Sequence, residues 1–226
     1  CPGEDAITID FKNKGSVDNV TLNCAGNSIT GNGTHSGIKA VGRGSSNRAF
    51  RNSVIENCII SNFSIGIEFK SKAHASVWWQ LPPPYPPCQS ERSDQPIYHN
   101  ILRDNDISDC DKGMSFISYE DYDSHSSCPG EYEDADVYEN EIANNTLTNN
   151  EIGFYLSNYP LDVATSDREG RYGHVRDNNF TGNIITENNQ GIVMTRENTY
   201  GRYPKENNLY NNLFNNTNNA DASTGS

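Results

Sequence analysis

Residues 53–69 read SVIENCIISNFSIGIEF, and three later stretches repeat the pattern: 100–116 (NILRDNDISDCDKGMSF), 140–156 (NEIANNTLTNNEIGFYL) and 178–194 (NNFTGNIITENNQGIVM). The four align on the glycine of a glycine–apolar pair: Gly66, Gly113, Gly153 and Gly191. Eleven positions before it stand Ile55, Leu102, Ile142 and Phe180; six before it, Ile60, Ile107, Leu147 and Ile185. Ile67, Met114, Phe154 and Ile192 follow the glycine directly, and Phe69, Phe116, Leu156 and Met194 come two further on. A looser copy ends at Gly37-Ile38, and residues 209–216 begin another. Self-similarity at this scale marks a repeat architecture.

Apolar residues that alternate over a few positions and then give way to Asn, Asp, Ser and Gly mark short strands separated by turns. A helix would lose stability at every recurrent Asn and Gly. The reading is all-β: a right-handed parallel β-helix of about six coils and about three short strands per turn, each strand stacking on its counterpart in the next coil. Asparagine supports it. Asn100, Asn140 and Asn178 fall thirteen before their glycines; Asn105, Asn145 and Asn183 fall eight before. Equivalent positions stack at a strand spacing of about 4.8 Å, so their amides can hydrogen-bond along the axis as a ladder. Asn also tolerates the left-handed conformation of sharp corners. Asp104, Asp106, Asp109 and Asp111 are assigned to the same ladder register.

The stretches NVTLNCAGNSITG (19–31) and NSVIENCIISNFSIGI (52–67) resemble the repeat of NosD-type, pectate-lyase-like right-handed β-helix proteins, most of all the Asn-rich versions among archaeal cell-surface proteins. The resemblance covers most of the chain outside its inserted loops and implies a fold rather than a reaction, because one fold hosts many functions. It raises copper, which needs His, Met or thiolate ligands. In this chain the histidines are scattered, and Met114 and Met194 occupy expected core positions.

Net charge is −13 over 226 residues, with 34% hydrophobic residues. So acidic a chain has too few cations to displace counterions from nucleic-acid phosphate, and no apolar run reaches the length of a membrane span. The six cysteines include no CxxC, which sets aside zinc-ribbon and thioredoxin-like readings and favours disulfides outside the cell. Six glycosylation sequons, at Asn19, Asn32, Asn62, Asn144, Asn179 and Asn215, fit an extracellular or cell-surface location.

A single β-helix domain is expected over residues 1–216, with 217–226 a polar tail or linker. The opening residues, CPGEDAITID, read as turn plus strand, as in a mature or excised form. Insertions are expected at about 70–98, 117–137, 157–176 and 195–206, all leaving after the glycine–apolar strand. Insertions at one phase of a solenoid emerge on one face, often the binding face. That wall would carry Trp78, Trp79, Tyr85, Tyr122, Tyr132, Tyr159, Arg171, Tyr172, His174, Arg196, Tyr200 and Tyr203, side chains suited to stacking on sugars and bonding their hydroxyls.

Other chemistry is thinner. Asp121, Asp123, Glu133, Asp134 and Asp136 could gather oxygen ligands for Ca²⁺, although no EF-hand spacing is present; a solvated acidic loop explains them equally, and no cofactor is expected. Polysaccharide-cleaving enzymes need paired carboxylates or a proton-abstracting base, and Gly173-His174-Val175 is a faint trace of such a motif. These features read as a secreted or cell-surface structural and adhesive protein, binding glycans or like subunits. A polysaccharide lyase or glycoside hydrolase working in the wall is the competing reading. Solenoid ends leave open strand edges unless capped, and neither terminus reads as a capping helix, so end-to-end assembly is expected. Cys88 and Cys128, outside the repeat register on neighbouring insertions, are expected to pair. Cys24 and Cys58, at one corner of successive coils, are the second choice, with stacked free thiols as their alternative.

Overall fold

The computed structural model describes residues 4–11, 16–42, 48–78, 89–93, 95–122, 135–159, 174–196 and 203–224. Among them every regular element is a strand, and the strands form four parallel sheets, making a right-handed parallel β-helix. Each coil runs through a two-residue strand of sheet B, three-residue strands of sheets C and D, and a longer strand of sheet A. In one coil these are Ile97–Tyr98, Ile101–Arg103, Asp106–Ser108 and Lys112–Tyr122. The turn therefore has four strands, not the three expected. The fourth is the short sheet B strand, in which only Phe50, Ile97, Val137 or Val175 points to the core.

Six coils stack behind a leading strand, Ile7–Asp10, which pairs with Ser36–Val41 of the first full coil. The register is the one the glycines fix. Ile38, Ile67, Met114, Phe154 and Ile192 form one continuous row on sheet A. The row ends at Ala220, because Asn218–Thr224 is a strand paired with Gln190–Arg196. Residues 218–224 thus complete sheet A rather than forming a polar tail; Ala220 and Ala222 take the places of Ile192 and Met194. The aligned glycines stack too closely for side chains: a Cβ on Gly66 would lie 2.5 Å from the Gly113 carbonyl oxygen, and one on Gly153 2.5 Å from that of Gly191.

The interior is a thin column of fully buried Ile, Leu and Phe. Phe50, Phe69, Phe116 and Phe180 meet edge to face with ring centroids 5.6–5.7 Å apart, a geometry favoured by the ring quadrupole. Met114 is in this core and Met194 packs against it. Val20 alternates with Leu22 and Cys24, a pattern that reads as inward-facing, but it is 43% exposed, because it occupies a ladder position in the first coil.

Buried asparagines bind the coils to one another. The backbone N–H and Nδ2 of Asn100 both donate to Asn140 Oδ1, at 3.0 Å each, and Asn140 repeats this toward Asn178. A second ladder runs Asn105, Asn145, Asn183, Asn212. A third, not expected from the repeat alignment, runs Asn150, Asn188, Asn216 and is headed by Cys110, whose N–H donates to Asn150 Oδ1 at 3.0 Å. Each ladder amide also donates to a carbonyl of the preceding coil, as Asn145 Nδ2 does to Leu102 O at 2.9 Å. These bonds satisfy polar groups that would otherwise be buried unpaired.

The residue before each ladder position turns the corner at positive φ. His99, Asp104 and Asp109 do so in one coil, and Glu139, Asn144 and Asn149 in the next. Asp104 and Asp109 are therefore exposed corner residues one place outside the ladder register assigned to them, and Asp106 is exposed on sheet D. A short polar side chain lowers the cost of the left-handed conformation, which explains why so many corners are Asn or Asp.

Candidate functional site

Most of the variation in coil length falls at one place. Ladder partners are 47 residues apart between Ser53 and Asn100, 40 between Asn100 and Asn140, and 38 between Asn140 and Asn178. In the last coil Asn188 and Asn216 are only 28 apart. The excess lies between a sheet A strand and the next sheet B strand, so the longer strands of sheet A lead into it. Ile65–Trp78 extends to residue 78, within the expected insertion, and pairs antiparallel with Gln89–Ser93. Lys112–Tyr122 and Ile152–Tyr159 likewise run on into the stretches expected to be inserted.

The outer face of this extended sheet is the candidate site. After each glycine–apolar pair, alternate residues point outward. One row holds Lys39, Glu68, Ser115, Tyr155 and Val193. The next holds Lys70, Ile117, Ser157 and Thr195, and beyond it Lys72 pairs with Tyr119. Lys112 stands at the near edge, its Nζ 3.8 Å from the centroid of the Tyr155 ring. Lys70 and Lys72 flank the Tyr119 ring at 5.1 and 5.5 Å, distances at which an ammonium is attracted to an aromatic face. Lys39 Nζ lies 2.8 Å from Glu68 Oε2, which also accepts from Ser36 Oγ at 2.9 Å. Glu68 is only 4% exposed, so this pairing keeps a buried carboxylate compensated.

One feature of that face points to a ligand. Four of the seven lysines of a chain with net charge −13 lie on three adjacent strands of one sheet: Lys39, Lys70, Lys72 and Lys112. Ser115 and Ser157, on neighbouring strands one row apart, are 0% and 1% exposed, and among the described residues neither hydroxyl has a hydrogen-bond partner. A hydroxyl so deeply buried is out of reach of solvent, so these two mark where the sheet is covered and the lysines mark where it can be approached.

Of the wall residues read from the sequence, Arg196 and Tyr203 are brought together, the guanidinium 5.0 Å from the ring centroid. His174 is not on a wall. It is 8% exposed, its N–H donates to Asp136 Oδ1 at 2.6 Å, and its Nδ1 lies 3.4 Å from Asn158 Nδ2. Asp136, a candidate Ca²⁺ ligand, uses its second oxygen to accept from Arg176 Nε at 2.8 Å, so both its oxygens serve the fold. Trp78, Asp121, Tyr122 and Tyr159 lie on strands of sheet A. Trp79, Tyr85, Asp123, Tyr132, Glu133, Asp134, Arg171, Tyr172 and Tyr200 lie outside the described residues, as do Cys88 and Cys128. Among the described residues no group of three or more His, Cys, Asp or Glu side chains could hold a metal.

Cys24 and Cys58 form a disulfide with Cα atoms 4.8 Å apart, joining the first two full coils. Cys110 is a buried free thiol. On sheet B, Tyr98 and Tyr138 stack at 5.0 Å between the guanidiniums of Arg51 and Arg176. Arg51 also donates to Tyr98 Oη at 2.8 Å and pairs with Asp18. The faces of both rings are covered, so this column joins coils and presents no stacking platform.

Comparison of the chain with protein-family models, with curated proteins and with solved structures gives no match. The disulfide agrees with an oxidising setting. Among the described residues no helix is long and apolar enough to cross a membrane.

Proposed function

We propose that this is a secreted or cell-surface structural and adhesive β-helix protein that binds acidic glycans across the outer face of sheet A. The observation that carries the reading is the gathering of Lys39, Lys70, Lys72 and Lys112 on that face of an acidic chain. Ammonium groups bind carboxylate or sulfate groups of a polysaccharide. Tyr119 and Tyr155 hold three of those ammonium groups in place, Lys70 and Lys72 against the first ring and Lys112 over the second. Adjacent strands at about 4.8 Å spacing set these ammonium groups side by side along an extended chain. The resemblance of the repeat to NosD-type, pectate-lyase-like proteins supports the architecture and leaves the reaction open.

The test is titration calorimetry of the protein with a panel of acidic and neutral polysaccharides, repeated with the double variant Lys70→Glu/Lys112→Glu. Binding of acidic members that falls at least tenfold in the variant, and weakens with salt, is the expected result. Equal binding by variant and parent, or none to any polysaccharide, would refute it. The same incubations read the competing activity: new reducing ends or unsaturated products would make the protein a hydrolase or lyase.

A further inference from the structure

The six Asn-x-Ser/Thr sequons fall where the coil geometry turns both amide and hydroxyl outward. An asparagine of the first two ladders cannot begin a sequon, because a core side chain stands two residues on: Leu102 after Asn100, Ile142 after Asn140, Phe180 after Asn178. The corner residue one place earlier is different, since two residues on from it the strand first faces solvent. Asn19-Val20-Thr21, Asn62-Phe63-Ser64 and Asn144-Asn145-Thr146 use that spacing, their asparagines at φ 58°, 60° and 55°. Asn179 and Thr181 face out together from one strand of sheet C. Asn215 ends a strand of sheet D, and Asn32 lies in the turn leaving sheet D, its Oδ1 accepting from Thr34 Oγ1 at 2.7 Å. All six asparagines are exposed, and none lies on a strand of sheet A or B.

The same two faces carry exposed apolar side chains. On the outer face of sheet D, Ile59 is 42%, Ile184 43% and Leu213 56% exposed. Tyr210 is exposed on the last strand of sheet C, whereas Leu209, in register with core Phe180, and Val20, at a ladder position, are exposed because they sit in the last and first coils. Single exposed apolar residues are ordinary, but these keep company with the sequons. Val20 adjoins Asn19, Ile59 precedes Asn62 by three, and Leu213 precedes Asn215 by two. Ile184 pairs with Thr146 of the Asn144 sequon.

We propose that N-linked glycans on Asn19, Asn32, Asn62, Asn144, Asn179 and Asn215 sheath sheets C and D, cover their apolar side chains, and leave sheets A and B as the bare faces. In each transfer the asparagine Nδ2 loses one proton and bonds the anomeric carbon of an oligosaccharide carried on a polyisoprenyl diphosphate, which departs as the diphosphate. The nitrogen keeps one hydrogen, so Asn62 Nδ2 retains its bond to Gly31 O, now 3.0 Å long. None of the three ladders is touched. This inference shares export with the proposed function but does not depend on what sheet A binds.

The test uses protein isolated from its native source. Its intact mass is compared before and after the folded protein is treated with an N-glycosidase in H₂¹⁸O, which turns each glycosylated asparagine into labelled aspartate. A loss of mass, with label at most of the six sequons and none at the ladder asparagines, is the expected result. No loss of mass, or label at a minority of the sequons, overturns the proposal. Polysaccharide titration of the deglycosylated protein reads sheet A separately, and its outcome leaves the mapping result unchanged.

Discussion

Replacing Asn145 by alanine tests the claim that buried amides join the coils. Its side chain makes four hydrogen bonds: Oδ1 accepts from the N–H and Nδ2 of Asn105 at 3.1 and 2.9 Å, and Nδ2 donates to Leu102 O and Asn183 Oδ1 at 2.9 and 3.0 Å. The residue is fully buried, so no water replaces them. At a net value of about 1 kcal/mol for each bond, the loss is about 4 kcal/mol, and leaving the Asn105 N–H without an acceptor adds to it. Asn149 is the control: an exposed corner residue at φ 58°. Asn149→Ala should cost about 1 kcal/mol for left-handed strain, and Asn149→Gly close to nothing. Urea unfolding followed by far-ultraviolet circular dichroism gives all three values. If Asn145→Ala costs no more than Asn149→Ala, the ladder is a passive filling and the coils are held together by something other than their buried amides.

Reducing the Cys24–Cys58 disulfide, which closes a loop across 34 residues, should lower stability by about 4 kcal/mol in the chain-entropy model; unfolding midpoints with and without reductant measure it. The Cys110 thiol, pushed by burial from 9.0 up to about 11, should resist iodoacetamide in the folded protein at pH 8 and react on unfolding. Because the unfolded thiol ionises first, the stability it contributes is complete below about pH 9 and is lost as pH rises toward 11; Cys110→Ser should flatten that slope in urea titrations. Cys110→Asn should extend the third ladder by one coil and hold or raise the unfolding midpoint, whereas Cys110→Leu should lower it. Gly113→Ala, whose Cβ would meet the Gly153 carbonyl oxygen at 2.8 Å, should reduce the yield of folded protein and broaden its thermal transition.

The core was legible because it depends on side chains that must recur. Ile60, Ile107, Leu147 and Ile185 each fill the same place in a column one side chain thick, so chemistry and spacing are both held. The third ladder escaped notice because its first member is Cys110, and because the doublets Asn149-Asn150 and Asn188-Asn189 hide which asparagine is inside. The fourth strand had a signal that a repeat starting at Ser53 leaves out: Phe50, Ile97, Val137 and Val175 each stand sixteen before the aligned glycine. The candidate site was harder to see. Outward positions of sheet A hold Lys70, Ile117, Ser157 and Thr195 in one row, which share no residue type because positions outside the core column are not constrained by its stacking. Attention to aromatics in the insertions passed over the lysines on the strands leading to them.

The variable spacing of the coils has a consequence for how such a protein changes over generations. Forty-seven residues separate one pair of ladder neighbours and 28 another, yet the backbone N–H meets the next asparagine Oδ1 at 3.1 Å in the first and 3.0 Å in the second. Most of the difference is absorbed where sheet A hands over to sheet B, so a segment gained or lost there alters what the molecule displays without disturbing how it stands. Connecting segments on a rigid scaffold can diversify in this way. Surface can thus be exchanged coil by coil at that handover while the glycine column and the three amide ladders keep the same contacts.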